Sequence, residues 1–173
     1  GITAGDLVAT DFVKCLLDAL GKKAPAVDEE KIRTAMQELG RRITARKANA
    51  NKTYLDANSK KDGVQVTASG LQFKVLKNGN GATPKTTSSV SVHYEGRLTN
   101  GQVFDSSIAR GEPASFPVTG VIKGWTEALL RMKVGDKWQL TIPPGLAYGE
   151  RGSPPVIGPN EILVFDVELL EVK

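Results

Sequence analysis

The sequence predicts an α+β protein in which a helical arm precedes a domain built on one antiparallel β-sheet. Apolar side chains recur at helical spacing before about residue 62, and after it they alternate with polar ones. Proline also distinguishes the two segments, since Pro25 is the only one of the 9 prolines before residue 62. We therefore expect two domains, residues 1–62 and 63–173.

Composition sets limits on the class of protein. The 173 residues are 40% hydrophobic and 24% charged, which is typical of a globular protein with a full core. The longest apolar runs extend over a few residues, whereas a membrane-spanning helix needs about 20. These values exclude disordered, collagen-like and membrane-spanning classes. The net charge of +4 does not by itself indicate a nucleic-acid partner.

Cys15 is the single cysteine and His93 the single histidine. An internal disulfide and a structural zinc site are therefore excluded, and we expect neither a metal nor a cofactor. No basic segment followed by an apolar one is visible at the start of the chain, so no signal peptide is predicted. The cellular compartment stays open at this point.

The arm is predicted to contain two helices. The first covers residues 5–20, where apolar side chains share one face and Gly21 follows as the cap. Asp28 is the predicted N-cap of the second helix, whose apolar stripe ends near Ile43. The next residues are polar on all sides but contain no helix breaker, so this helix should continue into solvent as a spacer up to residue 58. From Glu29 to Asn58 it would be about 45 Å long.

Two short amphipathic helices bury too little surface to be stable alone, so the stripes need a partner. Homodimerisation through the N-terminal helices is the simplest solution, and folding of the arm onto its own C-terminal domain is the alternative. Residues 41–61 carry seven basic side chains against one acid. A solvated helix face explains this charge, and contact with nucleic acid is the less favoured interpretation.

Four segments of the second domain have the period-two pattern of strands and should form one antiparallel sheet. Their apolar positions are Leu71, Phe73 and Val75; Val90, Val92 and Tyr94; Trp138, Leu140 and Ile142; and Leu163, Phe165, Val167 and Leu169. Asn100-Gly101 is a strong hairpin signal after the second of these strands. Residues 124–132 form the one helix expected here, which would cover one face of the sheet.

The common catalytic patterns are missing from this sequence: a Ser/His/Asp order, a Walker motif, a dinucleotide fingerprint and metal-ligand spacing. His93 lies in the middle of a predicted strand and is interpreted as structural. The second domain instead interrupts aromatic and aliphatic residues with glycine and proline, in VHYEG, VFDSS, VIKGW, LAYGERG and LVFDVELL. Such segments are typical of an apolar concave pocket with a polar rim.

In this order and at these spacings, VFDSSIARGEP, VIKGWTEALLRM, LAYGERGSPP and LVFDVELLEV resemble the FKBP-type peptidyl-prolyl cis-trans isomerases. The resemblance covers residues 69–173. The helical arm with its spacer further resembles the dimeric bacterial subgroup that includes the macrophage infectivity potentiators.

The resemblance implies a proline pocket with Trp125 as its floor and with Asp105 and Tyr148 as its polar rim. In the family, the Ile122 backbone N–H and the Tyr148 hydroxyl bind carbonyl groups of the bound chain, and Asp105 lies near the twisting imide. The implied walls are Tyr94, Phe104, Phe116, Val121, Ile122 and Phe165.

Val156 and Ile157 would lie on a long loop that covers the pocket. Two positions depart from the common family pattern, because Ala114 replaces an aromatic residue of many members and Leu146 replaces a tyrosine. From the residues alone, strand alternation would make Tyr94 and Phe165 core residues, Trp125 could anchor its helix, and Asp105 could cap a turn.

The resemblance implies isomerisation of X-Pro bonds in proline-containing polypeptide clients, with chaperone activity in a homodimer. It also implies inhibition by the macrolides rapamycin and tacrolimus. By analogy with the family, the expected location is the bacterial periplasm or cell envelope, with the cytoplasm as the alternative. The competing function is a client-binding module with little turnover.

Overall fold

The computed structural model describes residues 29–173. The chain divides into two compact units, residues 1–50 and 51–173. The predicted first helix over residues 5–20, together with Cys15, lies outside the described residues. The predicted domain boundary after residue 62 stays a prediction.

Helix α1 extends without interruption over Glu29–Ser59, as the sequence predicts. Its exposed side chains include an ion pair at i,i+4 spacing, in which Lys52 Nζ lies 2.6 Å from Asp56 Oδ2. Met36 is 64% exposed. Gly63, which follows the helix with a φ of 75°, adopts a left-handed conformation that glycine tolerates best.

The second unit contains a seven-stranded antiparallel sheet. The strands are β1 (Val64–Val66), β2 (Gln72–Lys77), β3 (Ser89–Leu98), β4 (Val103–Ser106), β5 (Ala114–Pro117), β6 (Lys137–Ile142) and β7 (Leu163–Val172). Their order is β1-β2-β6-β7-β3-β4, and β5 also pairs with β3. All these pairs are antiparallel, so the predicted sheet is confirmed.

Strand β3 is the centre of the arrangement that forms the site. It pairs with β7 along its length, with β5 near its start and with β4 near its end. The predicted hairpin at Asn100-Gly101 connects β3 to β4, and Gly101 has a φ of 87°. This hairpin places Gly96 of β3 opposite Asp105 of β4, while β7 places Phe165 on the other side of Gly96.

Helix α3 (Lys123–Leu129) packs on the sheet through Trp125, Ala128 and Leu129, which are buried as the predicted spacing requires. The expectation of only one helix in this domain is wrong. Helix α2 (Ser107–Arg110) and a 3-10 turn (Pro144–Leu146) are also present. Both are too short for an apolar period to mark them in the sequence. Within residues 29–173, no helix has the length and apolar character needed to cross a membrane.

Candidate active site

The sheet, helix α3 and the adjacent loops line a cleft of about 420 Å³. Strands β3, β4, β5 and β7, helix α3 and the loop after the 3-10 turn each contribute to it. It is lined by Tyr94, Phe104, Asp105, Phe116, Gly120, Val121, Ile122, Trp125, Tyr148 and Phe165. The structure thus brings together every predicted wall, floor and rim residue, but not Val156 and Ile157, which were predicted to lie on the covering loop.

Trp125, the predicted floor residue, and the four aromatic wall residues form one cluster of rings in edge-to-face contact, which we call the aromatic floor. The ring of Trp125 lies 5.2 Å from the rings of both Tyr94 and Phe165, at interplanar angles of 87° and 83°. Phe116 lies 6.0 Å from Trp125, and Phe104 lies 5.5 Å from Phe165. Each such pair contributes about 0.5–1.5 kcal/mol beyond the burial of its area. The floor is therefore a rigid apolar surface.

Three polar side chains form a connected group at one edge of the cleft. The Tyr94 hydroxyl donates a hydrogen bond to Asp105, and the Arg110 guanidinium donates a second one to the same carboxylate. Arg110 also donates to the Tyr94 oxygen at 3.0 Å, and its guanidinium carbon lies 5.7 Å from the centre of the Tyr94 ring. The carboxylate is thereby held in one orientation.

These contacts determine the protonation states of Asp105, Tyr94 and Arg110. Burial favours the neutral acid of Asp105, but the hydrogen bonds from Tyr94 and Arg110 outweigh it and hold the pKa of Asp105 below its ordinary value. Burial, supported by the hydrogen bond to Asp105, raises the pKa of Tyr94. The hydrogen bond to Asp105 also raises the pKa of Arg110. At neutral pH the cleft edge therefore carries a carboxylate, a neutral phenol and a guanidinium.

Tyr148 also lines the cleft, lies on the loop that follows the 3-10 turn and is 42% exposed. The loop turns tightly at this point because the N–H groups of Ala147 and Gly149 both donate to the Pro144 carbonyl, at 3.0 and 2.9 Å. Val156 is exposed on the same loop, whereas Ile157 is buried and packs in the core. Neither lines the cleft, so their predicted covering role stays a prediction.

Three residues of the site are missed by the reasoning from sequence: Arg110, Gly120 and Gly96. Arg110 follows Asp105 by five positions, but its bond to Tyr94 connects residues 16 apart and leaves no local pattern. Gly96 is needed because a Cβ there would lie 2.5 Å from Phe165 Cε1 and 2.7 Å from Phe104 Cζ. A glycine within a strand was the available signal for this close approach.

His93 lies beside the site but does not line it. Its Nδ1 is 3.1 Å from Ser107 Oγ, and this oxygen accepts a hydrogen bond from the Tyr94 N–H at 2.8 Å. These contacts fit the structural interpretation of His93. Within residues 29–173, no cluster of three or more His, Cys, Asp or Glu side chains is placed to hold a metal ion.

Comparison with known families adds to this geometry. A sequence-family model for FKBP-type peptidyl-prolyl cis-trans isomerase matches residues 80–170, which include the whole cleft. A second model, for the domain amino terminal to FKBP-type peptidyl-prolyl isomerase, matches residues 4–75. The chain belongs to the FKBP-type peptidyl-prolyl cis-trans isomerases.

Individual relatives agree with this assignment. The FKBP-type 22 kDa peptidyl-prolyl cis-trans isomerase of Escherichia coli is 51% identical over 173 residues, 96% of this chain and 84% of that protein. The peptidyl-prolyl cis-trans isomerase Mip of Coxiella burnetii is 56% identical over 126 residues, 73% of this chain and 55% of that protein. Among solved structures, FkpA from Escherichia coli superposes with a TM-score of 0.71 at 39% identity, covering 96% of this chain and 83% of that one.

The chain is therefore an FKBP-type isomerase by sequence, fold and family, as the resemblance predicts. Its reaction is the cis-trans isomerisation of peptidyl-prolyl bonds, and its substrates contain proline.

Proposed function

We propose that the cleft bordered by Asp105 and Tyr148 catalyses this isomerisation without covalent chemistry, with the proline ring resting on Trp125. The aromatic floor supports this proposal. Trp125 and Phe165 are only 4% and 5% exposed, and their rings contact each other edge to face. An apolar floor with one polar edge suits a proline ring whose imide bond lies at the rim.

Rotation about an X-Pro bond is slow because amide conjugation gives a barrier of about 18–20 kcal/mol. Removal of water from the imide disfavours its charge-separated planar form relative to the twisted one. A barrier lowered by about 4 kcal/mol would accelerate rotation roughly a thousandfold. The reaction breaks no covalent bond, so the cleft needs no nucleophile.

The roles of the rim follow from the family resemblance and are supported by the contacts. The Tyr148 hydroxyl and the Ile122 N–H bind carbonyl groups of the substrate chain. Asp105 lies near the imide, and the donors Tyr94 and Arg110 keep its carboxylate ionised and oriented. Phe104, Phe116 and Val121 enclose the proline ring, while Val156 and Ile157 belong to the covering loop. No metal or cofactor takes part in this mechanism.

The decisive experiment measures the cis-to-trans rate of an X-Pro test peptide. Tyr148→Phe and Asp105→Ala should each lower kcat/KM, because each removes a polar contact of the rim. Tyr54→Phe and Asp62→Ala are matched controls, since both residues lie outside the cleft, and both variants should keep the parent rate. Equal activity of all four variants would show that the rim plays no part.

Rapamycin separates catalysis from simple binding. We propose that rapamycin and tacrolimus occupy the cleft, so the parent protein should lose its acceleration when rapamycin is added. Rapamycin binding without any acceleration of the test peptide would favour the alternative, a client-binding module with little turnover. Calorimetry with the Tyr148→Phe variant would then show whether the same rim holds the macrolide.

We propose further that the N-terminal helices form a homodimer, which would give chaperone activity by holding one client at two linked sites. The match of residues 4–75 to an amino-terminal domain found with these isomerases supports an arm of this kind. Sedimentation at micromolar concentration should give twice the mass of the chain. A monomer under these conditions would refute the dimer.

The proposed location is the bacterial periplasm or cell envelope, by analogy with the subgroup, and the cytoplasm is the alternative. Fractionation of the native cells with an antibody to the chain distinguishes the two. Nucleic acid is not an expected partner, although residues 41–61 are strongly basic. Binding to DNA that weakens steeply with salt would contradict this expectation.

A further inference from the structure

The last turns of α1 are attached to the sheet by a buried polar network. Asn58 Nδ2 donates to Gln72 Oε1 at 2.9 Å and to Thr141 Oγ1 at 3.3 Å. Gln72 returns a hydrogen bond from Nε2 to the Leu55 carbonyl at 3.0 Å. Gln72 and Thr141 are register partners in β2 and β6, and both are buried. The position of this end of the helix is thereby fixed on the sheet.

Asn51 lies seven residues before Asn58, which is two helical turns and therefore the same helix face. Its Nδ2 donates to the Asn160 carbonyl at 2.8 Å, across 109 positions of sequence. The Asn160 N–H in turn donates to the Gly149 carbonyl at 2.8 Å, and Gly149 follows Tyr148 directly. Two hydrogen bonds in series thus connect α1 to the part of the loop that carries Tyr148.

The backbone of this loop is held by few hydrogen bonds. Between the 3-10 turn and β7, Ser153 and Ile157 bond to each other through both N–H groups, at 2.8 and 3.0 Å, and the Asn160 N–H donates to Gly149. Asn160 has a φ of 54°, a left-handed conformation that asparagine tolerates better than most residues. A segment with few backbone hydrogen bonds depends on each of them, so loss of the bond from Asn51 should make local opening of the loop easier.

We propose that Asn51 is a positioning residue for the isomerase reaction, which holds the Tyr148 loop through Asn160 and keeps the Tyr148 hydroxyl at the rim of the cleft. The inference rests on the role of Tyr148 given under the proposed function. Asn51 itself touches neither the cleft nor the substrate, and its effect is transmitted through the backbone of the loop.

The first test compares Asn51→Ala and Asn51→Asp with the control Lys52→Ala. Aspartate keeps the shape of asparagine but lacks the N–H donor. The two Asn51 variants should lower kcat/KM for an X-Pro peptide about 2- to 10-fold, the value of one net hydrogen bond, mainly through KM. Amide exchange at Asn160 should become faster by a similar factor.

The control removes a donor from the neighbouring position of the same helix. Lys52 is exposed, and its ammonium donates to Asp56 of α1 rather than to the loop. The Lys52→Ala variant should therefore match the parent both in kcat/KM and in exchange at Asn160. A loss in this variant as large as in the Asn51 variants would show that any disturbance of α1 has the same effect, which would overturn the proposal.

The second test is a double-mutant cycle with Tyr148→Phe. If Asn51 acts through the Tyr148 hydroxyl, Asn51→Ala should have no further effect in the Tyr148→Phe background. An equal fold-loss in both backgrounds would overturn the proposal, and so would unchanged exchange at Asn160. A parent protein without isomerase activity would instead refute the function proposed for the cleft, while the exchange measurement would still decide whether Asn51 holds the loop.

Discussion

Replacement of Gly96 by alanine should displace two aromatic rings of the cleft without removing any of the side chains that line it. Gly96 lies in β3 between its partners Asp105 and Phe165. An added Cβ would be 2.5 Å from Phe165 Cε1, 2.7 Å from Phe104 Cζ and 2.8 Å from Phe104 Cε2. Favourable carbon contacts are about 3.5–4.0 Å long, so both rings must move by about 1 Å.

This displacement should lower both the stability of the protein and its catalytic rate. Overpacking of a filled core by a methyl group destabilises a protein by about 1–3 kcal/mol. Since each kcal/mol shifts the Tm of a protein of this size by about 2–4 °C, the Gly96→Ala variant should melt about 2–12 °C lower. Phe104 and Phe165 also line the cleft, and a misplacement of about 1 Å in a site costs up to ~100-fold in rate. We expect kcat/KM to fall by at least about 10-fold.

The assay combines thermal unfolding with the X-Pro peptide assay at a temperature where every variant is folded. Gly145→Ala is the control, because a Cβ at Gly145 meets no atom within 4 Å and the position has no strained φ. The control should keep the parent Tm and activity. A Gly96→Ala variant with the parent Tm and kcat/KM would show that the two rings relax freely, and the rigid floor described above would then be wrong.

Three further predictions follow. Asn58→Ala should lower stability by about 1–3 kcal/mol, because buried acceptors lose their donor, and chemical denaturation measures this. Arg110→Met should raise the pKa of Asp105, as measured by NMR titration, since a donor and a positive charge are lost. The stabilising contribution of this carboxylate is complete above its ordinary pKa of 3.8 and is lost as pH falls through the lower folded-state pKa. Gly152→Ala should loosen the long loop and speed exchange of the Ile157 amide, because its Cβ would lie 2.5 Å from the Ile157 carbonyl oxygen.

Each of these predictions has a matched control. Lys52→Ala should leave stability nearly unchanged, because exposed ion pairs contribute little. Arg131→Met should leave the Asp105 titration unchanged, and Gly145→Ala should leave loop exchange unchanged. An Asp105 carboxyl that titrates identically with and without Arg110 would contradict the electrostatic account of the rim. Parent-like denaturation of Asn58→Ala would contradict the attachment of α1 to the sheet.

The sequence predicts the long helix and the central strands well because each has a sustained pattern. Helix α1 ends at Ser59, one residue beyond the predicted end, because the helix continues up to the Lys60-Lys61-Asp62-Gly63 segment. Strand β5 was not predicted from periodicity, since Ala114–Pro117 is short and ends in a proline. Strand β1 has three residues, too few for an alternation to be visible.

Only part of the candidate site can be predicted from the sequence. The family motifs predict the aromatic floor and the rim residues Asp105 and Tyr148, which the structure places around one cleft. They do not predict that Arg110 completes the rim, because its contact with Tyr94 depends on how β4 and α2 pack beside β3. The bond from Asn51 to Asn160 is likewise a product of tertiary structure, because nothing in the local sequence relates the two residues.

The short outer strands of the sheet affect how the protein tolerates contact with unfolded chains. Strands β1, β4 and β5 form its borders, and they contain three, four and four residues. A long unpaired border offers backbone N–H and C=O groups to any extended polypeptide and promotes aggregation. The ten-residue strands β3 and β7 are paired in the interior of the sheet instead. If the cleft receives extended clients as proposed, the described part of the sheet offers them only short border strands to which they could add.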